Sequence, residues 1–122
     1  DIPLTIAVNP VVEAVGDATF VNNEGCLSVP IRGDVERHVE VRVRYLDRDG
    51  GTHHVHCRGL EAGTWQHEVD HLDGVLFVDR VADPATLATW DQFAAHQRDA
   101  FVERITAFAA EHRGRTEVDE VA

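Results

Sequence analysis

Alternating apolar and charged residues predict β-strands in the first half of the chain. The clearest run is 39–46, where apolar residues occupy every second position with charged residues between them, as in a strand with one buried face. The turn-forming stretch at 47–51 predicts a hairpin, and 52–57 is its predicted partner strand. Residues 4–8 predict an earlier strand, and 11–21 carry shorter strand signals around a glycine turn.

Helical periodicity begins in the middle of the chain. Leu60, Gly63 or Thr64, His67 and His71 recur at spacings of three, four and seven residues. This spacing predicts a helix over 60–72 with one buried face. Gly74 is its predicted left-handed C-cap. A second helical region is predicted over 83–112, opened by Pro84. Together these elements predict an α+β fold, with antiparallel and mixed sheets packed around the central helix and a C-terminal helix.

The central helix carries the most informative motif, His67-Glu68-Val69-Asp70-His71. Residues four apart on a helix share one face, so both imidazoles can point at one metal ion. Glu68 between them can take a proton from a water molecule. This H-E-x-x-H arrangement is typical of metal-dependent hydrolases, although it also occurs on ordinary helices, where the histidines are only solvated.

A metal held by two histidines needs a third protein ligand, and the chain has two cysteines. Cys26 lies in a turn that runs into an apolar stretch, and Cys57 ends a predicted strand. Alternation by itself does not choose between them. We interpret Cys57 as a small buried apolar residue, and we do not expect a disulfide, because nothing else indicates a secreted disulfide scaffold.

Two motifs resemble those of the peptide deformylase family. The stretch EGCLSVP at 24–30 and the stretch QHEVDHLDGVLFVDR at 66–80 are similar to its two signature motifs, and the resemblance runs from about Ile6 to Val81. It implies hydrolysis of the formyl group from the N-terminal formyl-methionine of nascent polypeptides, with release of formate. It also implies roles for nine positions and one cofactor.

The resemblance assigns the metal ligands, the general acid/base and the substrate contacts. The implied ligands are Cys26, His67 and His71, and Glu68 is the implied general acid/base. The backbone N–H of Leu27 is implied to bind the oxyanion. The implied peptide-binding positions are Gly25, Leu60, Gly63 and Thr64. Glu24 and Arg58 have no implied role, and we interpret them as solvated surface charges. Asp70 either orients an imidazole or is simply exposed.

The implied cofactor is one divalent metal ion. The resemblance favours Fe(II). A thiolate with two imidazoles also suits Zn(II), Ni(II) or Co(II). His54 and His56 share one face of a predicted strand, but we interpret them as solvated or interstrand histidines rather than a second metal pair.

One family motif has no counterpart in this chain. It is a Gly-rich stretch ending in a glutamine whose side chain donates to the developing oxyanion, and no glutamine here matches it. We consider three explanations for the lack of this motif. The part of the protein that carries it is missing from the 122 residues, it is supplied as a separate segment, or the protein is a degenerate relative of the family. We expect a deformylase-like domain at 1–112 that lacks its N-terminal segment, and a flexible tail at 113–122.

Composition limits the kinds of binding partner and the cellular compartment that we expect for this protein. The net charge of −11 disfavours direct nucleic-acid binding, although the resemblance implies transient contact with the ribosome. No apolar stretch is long enough to span a membrane. The absence of a signal segment and the need for a reduced thiol predict the cytoplasm. We expect a monomer that binds an N-formylated peptide or nascent chain.

Two rival functions remain at this level. The first is an H-E-x-x-H zinc endopeptidase whose third ligand is His96 or Glu103 instead of Cys26. The second is a non-catalytic relative that keeps the metal only for stability.

The absent glutamine leads to a prediction for the 122-residue chain. We expect its turnover on a formylated peptide to be low, because loss of one oxyanion donor costs about 10² to 10³ in rate. Formate release by the isolated chain measures this, and turnover typical of an efficient enzyme would contradict it.

Overall fold

A computed structural model describes residues 2–120 of the chain as strands and helices in an α+β arrangement. The strands, in chain order, are β1 (Val8–Ala14), β2 (Thr19–Cys26), β3 (Val29–His38), β4 (Glu40–Leu46), β5 (Thr52–Arg58), β6 (Ala88–Thr89) and β7 (Arg115–Glu120). The α-helices are α1 (Leu60–Leu72), α2 (Trp90–His96) and α3 (Arg98–Glu111), and short 3-10 helices lie at Phe77–Arg80 and Pro84–Thr86.

The strands form two antiparallel sheets. One has the order β1-β4-β5-β7 and the other the order β2-β3-β6. The β4–β5 hairpin is built around the 47–51 turn, where the Asp47 carboxylate accepts hydrogen bonds from the backbone N–H groups of Asp49 and Gly51. Helix α1 contacts strands of both sheets, so its residues lie where the two sheets meet.

The main core lies between the first sheet and α1. Alternation buries Val41, Val43 and Tyr45 on one face of β4 and leaves its arginines exposed. Val43 is paired across the ladder with Val55, and Val41 is paired with Cys57, so apolar side chains meet apolar side chains on the buried face. The thiol of Cys57 is fully buried in this cluster, which confirms its interpretation as a small core residue.

Helix α1 has the predicted bounds, and its C-terminus has the predicted cap. Gly74 adopts φ +75°, its N–H donates to the carbonyl of His71, and the N–H of Val75 donates to that of Asp70. These two bonds are those of a Schellman motif, in which a left-handed residue lets the chain leave the helix with its last carbonyls satisfied.

The predicted α+β class, the β4–β5 hairpin and α1 are confirmed, but three local predictions are wrong. Residues 4–8 carry no strand before Val8, and the turn expected at Cys26 is confined to Leu27 and Ser28, because Cys26 itself ends β2. The helical region expected over 83–112 is divided into a 3-10 turn, a short strand and two helices. Short apolar stretches of this kind do not distinguish helix from strand by periodicity.

The flexible tail predicted for 113–122 also differs from the structure over 115–120. These residues form β7, which pairs antiparallel with β5 from Thr52 to Cys57. The physical reason is that β5 would otherwise present unpaired N–H and C=O groups along the edge of the sheet. Arg115 strengthens the attachment through its ion pair with Glu61 on α1. Among residues 2–120, no helix combines the length and the apolar character that crossing a bilayer requires.

Gly59 provides a test of how the C-terminal segment packs. It precedes α1 with φ +75°, and a Cβ added there would lie 2.1 Å from the backbone carbonyl oxygen of His112. We expect Gly59→Ala to lower the free energy of unfolding by about 2 kcal/mol or more, because both strain and overpacking oppose it. Urea unfolding followed by circular dichroism measures the loss.

Gly16→Ala is the matched control. Gly16 also has a positive φ, +74°, but nothing lies within 4 Å of its added Cβ. This variant should therefore show only the conformational cost. Equal losses in the two variants would contradict the contact between Gly59 and the C-terminal segment.

Candidate metal centre

Three side chains from two distant parts of the sequence converge beside α1. The ligand atoms offered by Cys26, His67 and His71 all lie within 4.8 Å of one another, and this is the one such Cys/His/acid group found among residues 2–120. The Sγ of Cys26 is 3.6 Å from Nε2 of His71, although the two residues are 45 positions apart. The structure therefore brings together the three ligands that the resemblance implies.

The two histidines owe their positions to the helix. His67 and His71 lie one turn apart on α1, with ring centroids 5.0 Å apart and the planes nearly perpendicular. The His67 ring also lies almost parallel to Phe77, at a centroid distance of 6.3 Å. Phe77 is fully buried, so it forms a fixed apolar wall behind the imidazole.

A local irregularity in the β2–β3 hairpin positions Cys26. The strand register shifts between Gly25 and Cys26, because Gly25 is opposite Arg32 whereas Cys26 is opposite Val29. Such a bulge re-aims the side chain that carries it. Leu27 and Ser28 then form the turn into β3. The Leu27 side chain is fully exposed, and its backbone N–H belongs to the residue directly after Cys26.

Glu24 is the functional residue that the sequence analysis missed. It is buried, not a surface charge, and its Oε1 lies 2.8 Å from Nδ1 of His67. Because an ionised carboxylate only accepts hydrogen bonds, Nδ1 carries the proton and Nε2 is left with its lone pair. A carboxylate that orients a ligating histidine in this way is a common feature of metal sites. The one sequence signal was an acid two positions before the ligand cysteine.

Arg37 balances the buried charge of Glu24. Its Nε donates to Oε2 at 2.8 Å and its Nη2 donates to Oε1 at 2.7 Å, a bidentate ion pair with both side chains almost fully buried. Although burial lowers the pKa of Arg37, its hydrogen bonds to Glu24 and Asp70 raise it overall. The guanidinium therefore stays charged and pairs with both oxygens of the Glu24 carboxylate.

Asp70 orients an arginine and not an imidazole. It accepts hydrogen bonds from Nη1 of Arg37 at 2.8 Å and from Nε and Nη2 of Arg80 at 2.6 and 2.9 Å. Burial raises the pKa of Asp70, but the two guanidinium groups lower it overall. Of the two roles considered for this residue, the structure thus supports neither an imidazole contact nor simple exposure.

The donor set fits a single divalent ion. Tetrahedral Zn–N and Zn–S bonds of about 2.0–2.3 Å place neighbouring ligand atoms roughly 3.3–3.7 Å apart, and the Cys26–His71 distance of 3.6 Å already matches. The backbone N–H of Ser28 and the nearby His67 imidazole lower the pKa of the Cys26 thiol. Burial lowers the pKa of His67, but the neighbouring Glu24 and Cys26 raise it overall, as expected for an imidazole beside two anions.

The remaining site residues surround an open space next to the ligands. A cavity of about 270 Å³ is lined by Gly25, Gly63, Thr64, His67 and Glu68, with Asn22, Asn23, Glu24 and Arg32. The Glu68 side chain is 66% exposed, and its Oε1 lies 3.8 Å from Nε2 of His67. Leu60 does not line this cavity but borders a separate groove near Arg115.

Gly25 is in close contact with its neighbours. A Cβ at this position would lie 2.7 Å from the Trp90 ring and 3.1 Å from Nη1 of Arg32. The Arg32 guanidinium lies between the Trp90 and Phe93 rings, at 4.6 and 4.5 Å from their centroids. Any residue larger than glycine at this position would therefore have to displace the side chains of Trp90 or Arg32.

The alternative ligands do not join the cluster. Neither His96 nor Glu103 belongs to the group of ligating side chains found among residues 2–120. His56 bonds to Glu40 at 3.1 Å, and Arg58 lies 3.7 Å from the same carboxylate. The zinc endopeptidase alternative, which needs one of the first two residues at the metal, is therefore not favoured.

The fold and the site define a small α+β protein with a Cys–His–His group that could hold a metal ion beside an H-E-x-x-H helix. The sequence profile of the family described as polypeptide deformylase matches residues 2–86. The chain therefore belongs to this family.

Individual relatives agree with the family match. A peptide deformylase from Mesorhizobium japonicum is 46% identical over 78 residues, which cover 63% of this chain and 44% of the relative. Peptide deformylase 1A, chloroplastic, from Solanum lycopersicum is 47% identical over 87 residues, which cover 70% of this chain and 31% of the relative. The chain thus spans less than half the length of these curated relatives.

A solved structure has the same fold over the shared region. The crystal structure of a peptide deformylase from Synechococcus elongatus in complex with actinonin aligns with a TM-score of 0.61 and 43% identity, over 66% of this chain and 44% of that one.

The two cysteines should differ sharply in reactivity. Cys26 is half-buried with a lowered pKa, whereas burial raises the pKa of Cys57 to about 12. We expect iodoacetamide at neutral pH to alkylate Cys26 and to leave Cys57 unmodified, because only a thiolate attacks. Prior addition of Zn²⁺ should protect Cys26. Peptide mass spectrometry measures both, and alkylation of Cys57 in the folded protein would contradict the buried assignment.

Proposed function

We propose that this chain supplies the metal centre and general base of a peptide deformylase, which hydrolyses the formyl group from the N-terminal residue of a peptide and releases formate. The observation that carries the proposal is the convergence of Cys26, His67 and His71 within 4.8 Å, with the Glu68 carboxylate at their edge. Family membership supports the reaction class, and the geometry supports the roles proposed here for the residues.

The metal would be held by the Cys26 thiolate and by Nε2 of His67 and His71. We propose Fe(II), as the family resemblance favours, with Zn(II), Ni(II) and Co(II) as alternatives that suit the same thiolate and imidazole donors. Such an ion, when bound, polarises a carbonyl group and makes a water molecule more acidic. Glu24 and Arg37 contribute by keeping the His67 imidazole in one tautomer and orientation.

Glu68 is the proposed general base and general acid. Its exposed carboxylate takes a proton from the attacking water, whose oxygen forms a bond to the formyl carbon. The carbonyl oxygen gains negative charge, and the backbone N–H of Leu27 donates to it. When the carbon–nitrogen bond breaks, Glu68 returns the proton to the leaving amine. Water is consumed, and formate and a free N-terminus are formed.

The peptide would bind along the cavity next to the ligands. We propose that the Gly25 backbone pairs with the peptide backbone, as a strand edge does. Gly63 and Thr64 would form the wall facing the first side chain, whereas Leu60, which borders a separate groove, is left out of the proposed peptide site. A formyl carbon bears only hydrogen beside its oxygen and nitrogen, so a tight site can select it by size.

The proposed partners follow from the reaction. The substrate is an N-formylated peptide or nascent chain, and contact with the ribosome would be transient, because a net charge of −11 opposes firm binding to RNA. We propose a monomer in the cytoplasm. The chloroplastic relative from Solanum lycopersicum makes an organelle the alternative compartment.

Substitution of Glu68 tests the proposal. We expect Glu68→Gln to lower formate release from formyl-methionyl peptides by about 10² to 10⁴, because proton transfer is lost, while metal content stays unchanged. Glu103→Gln, which neutralises an exposed glutamate on α3, is the matched control and should keep the rate. The protein is loaded anaerobically, metal is quantified by mass spectrometry, and formate is measured enzymatically.

Two other results would decide against the proposal. Equal rates for the wild type and Glu68→Gln would remove Glu68 from the chemistry. Metal binding by the wild type without any formate release, even after the family's Gly-rich glutamine segment is supplied, would favour the non-catalytic alternative.

A further inference from the structure

An alternating series of charges runs from His67 to the protein surface. Glu24 bonds to His67, Arg37 bonds to Glu24, Asp70 bonds to Arg37, and Arg80 bonds to Asp70, with every link between 2.6 and 2.9 Å. We call Glu24, Arg37, Asp70 and Arg80 the ion-pair chain. It holds two carboxylates and two guanidiniums, so its formal charges cancel.

Exposure increases outward along the ion-pair chain. The side chains of Arg37 and Glu24 are 2% and 6% exposed, that of Asp70 is 13% exposed, and that of Arg80 is 47% exposed. Only Arg80 is solvated to a large extent. Its substitution should therefore leave the fold intact, whereas removal of an inner member would leave a buried charge without its partner.

The ion-pair chain joins four separate elements of the fold. Glu24 lies on β2, Arg37 on β3, Asp70 on α1 and Arg80 at the end of the first 3-10 helix. Asp70 follows His67 by three residues on the same helix, so the same contacts that orient the imidazole also restrain the helix that carries it.

The orientation of the Arg37 guanidinium depends on contacts with two carboxylates, Glu24 and Asp70. It donates to Glu24 through Nε and Nη2 and to Asp70 through Nη1. Asp70 is in turn held by a bidentate contact from Arg80. Without Arg80, the Asp70 carboxylate keeps its bond to Arg37 but loses the bidentate contact that fixes its orientation. A carboxylate that can rotate no longer holds the planar fork of Arg37 in one position against Glu24.

We propose that Arg80 is a positioning residue for the metal centre, acting through Asp70, Arg37 and Glu24 to hold the His67 imidazole with Nε2 toward the ion. This inference rests on the metal centre in the proposed function. It concerns a residue that touches neither the ligands nor the substrate cavity.

The sign of the effect on metal affinity separates positioning from simple electrostatics. Arg80→Ala removes a positive charge, so Coulomb attraction alone predicts tighter binding of a divalent cation. Positioning predicts weaker binding, by about tenfold, as for other groups that orient a ligating histidine. Zn²⁺ affinity of the metal-free protein, measured by competition with a chromophoric chelator, gives the answer directly.

Arg80→Lys and Arg48→Ala are the matched variants. Lysine keeps the charge but loses the bidentate fork, so we expect affinity between those of the wild type and Arg80→Ala. Arg48 is exposed in the 47–51 turn, and Arg48→Ala removes the same charge away from the site without weakening the affinity. The absorption bands of the Co²⁺-loaded protein should change in Arg80→Ala and stay the same in Arg48→Ala.

A double-substitution cycle with Glu24→Gln identifies the route. If Arg80 acts through Glu24, Arg80→Ala should change the affinity by less than about twofold once Glu24→Gln is present, because coupled sites are not additive. A merely structural role for Arg80 would instead multiply the two losses.

The outcomes also distinguish this inference from the proposed function. Zn²⁺ binding by Arg80→Ala that equals or exceeds the wild type, or multiplied losses in the cycle, would overturn the positioning role and leave the deformylase proposal intact. Metal binding with the expected cycle but no formate release would overturn the deformylase proposal alone. Failure of the wild type to bind Zn²⁺ would overturn both.

Discussion

The buried ion pair between Arg37 and Glu24 is the interaction on which the site depends. A carboxylate and a guanidinium are both almost completely removed from water, which is favourable only when every hydrogen-bonding atom finds a partner. Among the described residues, no buried side-chain nitrogen or oxygen lacks a partner. The pair thereby holds the Glu24 carboxylate next to Nδ1 of His67. Because Nδ1 bonds to that carboxylate, Nε2 is the imidazole nitrogen that can bind a metal.

The remaining parts of the site are arranged around that constraint. Helix α1 supplies two candidate ligands and the candidate base from one turn, and the register shift between β2 and β3 places the Cys26 thiol beside them. The β4–β5 hairpin packs apolar side chains beneath the helix. The rigid elements therefore carry the ligands, while Glu68 and the Leu27 turn remain exposed to a substrate.

Particular residues show how much of the structure could be predicted from the local pattern of the sequence. The periodicity over 60–72 predicted α1 with its bounds, and Gly74 predicted its end, because helix caps depend on nearby residues. The assignment of Cys57 to the core followed from the small apolar character of the thiol, since alternation by itself did not distinguish the two cysteines. Glu24 and Asp70 were misjudged, because an acidic side chain is exposed by default and is buried only when a distant arginine meets it.

The sequence by itself determined the H-E-x-x-H helix, the half-buried hairpin and, through two motifs, the family. These features depend on residues within one or two turns or strands, so their spacing carries the information. Only the tertiary structure decided that Arg37 and Arg80 reach Glu24 and Asp70, that β7 covers the edge of β5, and that Leu60 lies away from the cavity. Each of these depends on pairing between elements far apart in the chain, for which composition and periodicity have no signal.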